Sequence, residues 1–180
     1  MKLYFRFALL FIMALTAGVA AAQTDKAARR DATREKLRSV LTANGPKVNI
    51  DFRQSEKNVY NFVGVLKTGL TNAESFEVVV GVSTDDTIGF RIYPHYRGTY
   101  INLDKASNGT ALARQLLKLS NSNFLFWGAD ETNDIFAGYT FTLESGFPDQ
   151  AIAVVLWSIK PLDQYIGQMK PLVDGPQGHQ

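Results

Sequence analysis

The stretch "NFLFWGADETNDIFAGYTFTL", Asn123–Leu143, decides the fold. A polar centre, Asp130-Glu131-Thr132-Asn133-Asp134, divides two apolar arms. In the second arm Ile135, Ala137, Tyr139, Phe141 and Leu143 alternate with Phe136, Gly138, Thr140 and Thr142. That period of two is the mark of a strand. The first arm, Phe124–Ala129, is short and aromatic, which also suits a strand. Parallel strands need a long crossover, so a turn this short implies antiparallel pairing. Phe124–Ala129 and Ile135–Glu144 are therefore expected to form a hairpin with an acidic tip.

The tip invites a metal or an acid–base role. A calcium loop of the EF-hand type takes oxygen ligands at alternate positions, with Gly at the sixth and Glu at the twelfth. Asp130, Thr132 and Asp134 meet the first three positions, but Ile135 and Phe141 occupy the two diagnostic ones. A two-carboxylate hydrolase needs acids on opposite sides of a scissile bond. Adjacent acids on an exposed tip lack the burial that raises one pKa. Asp, Asn and Thr are ordinary turn residues, and Asp85-Asp86 reads the same way. The tip is expected to be a turn.

Outward from the hairpin lie two helices. Upstream, Ser107–Ser120 carries Leu112, Leu116 and Leu119 on one face, with Leu117 beside them and Ser107 or Thr110 as the cap. Downstream, Gly146-Phe147-Pro148-Asp149 opens a helical pattern through Ile152, Val155, Leu156, Ile159, Leu162, Ile166 and Met169. Pro161 breaks its hydrogen-bond ladder, so a kink or a second helix is expected there. Trp127 and Trp157 lie on a strand and a helix expected to face each other, so both are expected in the core. Before Ser107 the chain reads as a helix, Thr24–Ala43, ended by Asn44-Gly45-Pro46, and then strands. These are Lys47–Arg53, Asn58–Leu66, Glu74–Ser83, Thr87–Tyr93 and a short Thr99–Leu103. The fold class is α+β, an antiparallel sheet with packed helices in the order α-β-β-β-α-β-β-α.

Four segments together resemble the YbjN domain family, which shares the fold of type III secretion chaperones. They are "ARQLLKLSNS" (Ala113–Ser122), "NFLFWGAD" (Asn123–Asp130), "DIFAGYTFTL" (Asp134–Leu143) and the acid-led helix Asp149–Val173. The half before Thr110 agrees only in element order. The resemblance implies a secretion chaperone-like α+β domain without known catalytic residues. Chaperones of that fold dimerise and bind extended segments of partner proteins. They are typically acidic and cytosolic, whereas this chain is neutral once its leader is set aside, and Pro161 interrupts a helix usually continuous in the family.

The leader is the N-terminus. Met1–Arg6 is cationic, Phe7–Leu15 is continuously apolar, and Ala20-Ala21-Ala22 supplies small residues. This three-part pattern is a signal peptide cleaved after Ala22. The alternative is retention as an anchor, but the run is shorter than the roughly 20 residues that span a bilayer. Residues 23–174 are expected to form one domain, and 175–180 a disordered tail. The protein is expected to be exported, periplasmic or secreted, with no stable membrane insertion after cleavage.

Removing Lys2 and Arg6 leaves Lys+Arg equal to the 17 Asp+Glu, which gives no electrostatic reason to expect nucleic acid. The chain has no Cys and two His, too few for zinc sites, so no metal or cofactor is expected. No nucleophile motif and no phosphate-binding loop is present. The chain reads as a non-enzyme. The candidate binding segment is "RIYPHYRGTY", Arg91–Tyr100, read as a loop because of Pro94 and Gly98. Arg91, Tyr93, His95, Tyr96, Arg97 and Tyr100 combine contact area with directional polar groups, as interface anchors do. The expected function is non-catalytic binding of another polypeptide, with a chaperone-like or regulatory role and access to a homodimer. The alternatives are an envelope domain for a small molecule or glycan, and a hydrolase that uses the acidic turn.

Overall fold

The computed structural model describes residues 25–175. The signal peptide expected at 1–22 lies outside them, as does all of the expected tail except Gly175.

The chain forms α1 (25–44), β1 (Arg53–Gln54), β2 (Asn61–Leu66), β3 (Ser75–Val82), β4 (Thr87–Tyr96) and β5 (Thr99–Tyr100). Then follow α2 (Gly109–Ser122), β6 (Phe126–Ala129), β7 (Ile135–Thr142), α3 (Asp149–Trp157) and α4 (Asp163–Asp174). All strand pairs are antiparallel, in the order β1-β2-β3-β4-β7-β6, with β5 folded back on β4. The α+β class and the hairpin at Asn123–Leu143 are as the sequence predicts, and the acidic turn joins β6 to β7; the expected order α-β-β-β-α-β-β-α changes, since five strands precede α2 and two helices follow β7.

Register explains the core. Gly64, Val78, Ile92, Ala137 and Trp127 lie directly opposite one another in one row across the sheet. The next row is Phe62, Val80, Phe90 and Tyr139. Directly opposed residues share a face, so both rows point to the same side. There they meet Leu37 and Leu41 of α1, Leu112, Leu116 and Leu119 of α2, Ile152, Val155 and Leu156 of α3, and Ile166 and Met169 of α4. Each fully buried Leu, Ile, Val or Phe stabilises the fold by roughly 1.5–3 kcal/mol.

Several local expectations change. Lys47–Arg53 is not a strand: Pro46–Val48 is a 3-10 turn, Asn49 takes φ 60°, and only Arg53–Gln54 pairs with β2. Pro46 and the left-handed Asn49 bend the backbone out of line, so Ile50 is buried by packing without a ladder. The cap of α2 is Asn108, whose side chain accepts from the Ala111 N–H at 3.0 Å. At Pro161 the helical pattern breaks into α3, a 3-10 turn at Lys160–Leu162 and α4. Only one of the two tryptophans belongs to the core. Trp127 is 4% exposed, but Trp157, on the last turn of α3, is 58% exposed.

Two polar devices tie the layers together. The Asp163 carboxylate, at the start of α4, accepts from the backbone N–H groups of Thr71, Asn72 and Ala73 at 2.7 to 3.1 Å. It fixes the loop between β2 and β3. Ser120 of α2 caps the outer edge of β6: its Oγ accepts the Trp127 N–H at 2.7 Å. Its hydroxyl hydrogen has two carbonyls in reach, Leu116 at 2.9 Å and Trp127 at 3.0 Å. An edge strand otherwise offers unpaired groups to a foreign strand, and this serine removes that offer at the centre of β6.

Candidate functional site on the open face of the sheet

The described helices contribute their buried apolar residues to one side of the sheet, and alternation sends every second strand residue to the other. One row on that second face is Arg53, Val63, Val79, Arg91, Gly138 and Phe126, each directly opposite the next. A second row includes Val65, Glu77 and Tyr93. His95 opposes Ser75 on one side and Tyr100 on the other.

The predicted loop at Arg91–Tyr100 is instead the end of β4, a tight turn and β5. Pro94 is accommodated because its carbonyl faces Ile101, whose N–H it accepts at 3.3 Å. The nitrogen of a strand residue points to the same side as its carbonyl. That side lies past the β7 ladder, whose last pair with β4 is Ile92 and Ala137, so the missing N–H costs no bond to β3. Arg97 and Gly98, at φ 55° and 78°, make the turn.

This geometry divides the six candidates. Arg91, Tyr93, His95 and Tyr100 share the open face. Tyr96 and Arg97 do not join them. The Tyr96 hydroxyl donates to Asp174 Oδ2 at 2.7 Å and Arg97 Nη2 lies 3.1 Å from the same oxygen, so both anchor the β4–β5 turn to the end of α4.

The open-face four are part of a larger aromatic cluster. Tyr93 packs on Tyr100 and on Phe136, with ring centroids at 5.4 and 5.6 Å. His95 meets Tyr100 edge-on at 4.4 Å, and Phe126 meets Phe136 edge-on at 5.9 Å. The Arg91 guanidinium sits 4.9 Å from the Phe136 centroid, within cation–π reach, and 3.5 Å from the Tyr93 hydroxyl. Gly138 makes the arrangement possible: a Cβ there would come within 2.6 Å of Phe126 Cζ. The phenyl ring lies over the bare glycine backbone and remains 42% exposed.

The electrostatics follow from this packing. Burial, assisted by the neighbouring Glu77 carboxylate, pushes the Tyr100 phenol up to about 12. Burial also raises Tyr93, with the Arg91 guanidinium opposing it. Both rings are neutral donors and acceptors at physiological pH.

Phe126, Phe136, Glu77 and Arg53 were missed by the segment-by-segment reading. The signal that could have found them is strand parity. Once β4 runs through Pro94, odd-numbered residues from Arg91 to His95 share a face with Phe136, which alternates out of phase with the core residues of its own strand.

The acidic tip behaves as a turn. Asp130 Oδ1 accepts from the Thr132 N–H at 2.9 Å, the Thr132 hydroxyl at 2.7 Å and the Asp134 N–H at 3.1 Å. Asn133 takes φ 64°. Burial by itself would raise the Asp130 carboxyl, but these hydrogen bonds outweigh it and leave it below the ordinary carboxylate value. Asp134 accepts from Asn102 Nδ2 at 2.8 Å. Among the described residues no three His, Cys, Asp or Glu side chains are grouped to hold a metal ion, and no helix is long and apolar enough to cross a membrane.

A second exposed apolar surface lies on the helical side. Phe124, Leu125, Val154, Trp157, Pro161 and Tyr165 line a groove of about 320 Å³.

No family model, curated protein or solved structure matches the chain.

Proposed function

We propose that this protein is an exported, non-catalytic module that binds a polypeptide on the open face of its sheet. The observation that carries the reading is the ordered cluster of Arg91, Tyr93, Phe136, Phe126, Tyr100 and His95 on a sheet face that no helix of the described residues covers. Aromatic and arginine side chains held by their neighbours lose little freedom on binding, which is why they anchor interfaces. The YbjN-like order of elements is consistent with a role in holding extended partner segments. The non-catalytic part of the reading draws on the geometry of the acidic tip, where Asp130 Oδ1 is taken up by the turn through the Thr132 N–H and hydroxyl and the Asp134 N–H.

The test is site-specific photo-crosslinking in the producing cell, with the crosslinker at Phe126 and, as a control, at Leu117 on α2. Polypeptide adducts from position 126 and none from 117 are expected. Adducts from neither position, together with binding of a small molecule or glycan by the purified protein, would sink the reading. The small-molecule alternative has its own observation, the groove beside Trp157, which is apolar and large enough for a compact ring system.

A further inference from the structure

The open face carries charge as well as rings, and the charge is placed by register. Arg53 and Arg91 lie in the same cross-strand row, on β1 and β4, with Val63 and Val79 between them. Neighbouring strands lie about 4.8 Å apart, so three steps put the two Cα positions roughly 14 Å from each other. Phe126 closes the row beyond Gly138.

Neither arginine is neutralised by a strong internal partner. Arg91 forms no ion pair among the described residues, and its guanidinium lies over the Phe136 ring. Such a site orients the planar fork while leaving most of its donors for an outside acceptor. Arg53 is 75% exposed and its acid neighbour, Glu56, is 92% exposed at 3.9 Å. An exposed pair of that length contributes next to nothing and competes weakly with a ligand. Two acids border the same face: Glu77 belongs to the other row, opposite Tyr93 and beside the Tyr100 phenol, and Asp130 reaches the Tyr93 hydroxyl from the hairpin turn, where its Oδ1 already accepts from Thr132 and Asp134. The row that holds both guanidinia therefore contains no carboxylate of its own.

From this arrangement we infer that the polypeptide partner is an acidic segment laid along the row from Arg53 to Phe126. One carboxylate pairs with Arg91, a second with Arg53, and an apolar side chain rests on Phe126. An extended chain advances about 3.3 Å per residue, so carboxylates four residues apart match the roughly 14 Å between the arginines. This rests on the proposed polypeptide-binding role and adds the chemistry of the partner.

Fluorescence anisotropy tests it, with the purified protein and three labelled peptides of one design. The first carries two Glu four residues apart and a Phe at one end, the second has Gln for both Glu, and the third has Lys. The acidic peptide is expected to bind at least tenfold more tightly than the Gln peptide and to weaken as salt rises. Arg91→Ala should cost about tenfold, Arg91→Lys less because charge survives without the fork, and Arg53→Ala about threefold. Far-ultraviolet circular dichroism checks that each variant is folded, as expected for exposed side chains. Equal binding of the Glu and Gln peptides, or folded Arg91→Ala with unchanged affinity, would overturn the acidic partner and leave polypeptide binding standing. Failure of all three peptides while a polyuronate chain binds would overturn both readings in favour of a glycan.

Discussion

Phe90 and Phe126 sit two strands apart on opposite faces of one sheet. Phe90 is 1% exposed, with Val80 and Tyr139 opposite it and Phe141 edge-on at 6.1 Å. Phe126 is 42% exposed over Gly138. The same side chain thus serves cohesion on one face and presentation on the other. The covered face is apolar across its central strands, with the polar Gln54 only at the β1 edge, and needs little more than volume and period two. The open face mixes rings with Arg91, Glu77 and His95, and each polar group is held by an aromatic neighbour rather than by a second layer.

The comparison can be broken by mutation. The largest effect is expected for Phe90→Ala, which should cost about 3–5 kcal/mol in urea unfolding because a cavity remains in a closed core. Phe126→Ala should cost less than about 1.5 kcal/mol, since half of the ring already meets water. Similar losses for the two would end the distinction between the faces.

Asp163→Ala should come next, at about 3 kcal/mol, because it strands the N–H groups of Thr71, Asn72 and Ala73. Asp163→Asn keeps one acceptor oxygen and should recover part of that loss. Gly138→Ala should cost about 1–2 kcal/mol by displacing Phe126, and should change the near-ultraviolet circular dichroism more than Phe90→Leu does. An unchanged spectrum would mean that Phe126 does not rest on Gly138.

The smallest effect is alkaline. Tyr100 titrates near pH 12 in the folded chain against the ordinary 10.0. A raised folded pKa favours the neutral phenol, so its contribution is complete below pH 10.0 and disappears as pH rises through about 12. The tyrosinate absorbance of wild type minus Tyr100→Phe should show this late step, and its absence would argue against a buried Tyr100.

Much of the fold is legible in local pattern. Asn123–Leu143 forms the hairpin its alternation requires, and Val78, Val80, Ile88, Phe90 and Ile92 are buried as period two predicts. Misreadings arise where a local signal is weighed without its surroundings. Alternation at Lys47–Arg53 resembles a strand, yet Pro46 and Asn49 prevent one. Pro94 and Gly98 resemble a loop, yet the missing N–H of Pro94 faces past the end of β7 and the strand continues. Trp157 keeps the helical period but falls where no element of the described chain covers it.

The sequence by itself determined the class, the hairpin, the two breaks at Pro46 and Pro161, and which strand residues share a side. Those follow from backbone chemistry and from periodicity, which are local. Only the tertiary structure decided which side is covered, because that depends on where the helices land. Packing likewise turns Tyr96 and Arg97 toward Asp174 and leaves Arg91 over Phe136, since residues from separate strands become neighbours only through register. The acidic tip followed the same division: its turn chemistry is written in Asp130, Thr132 and Asn133, while the surface it borders exists only once β4, β6 and β7 lie side by side.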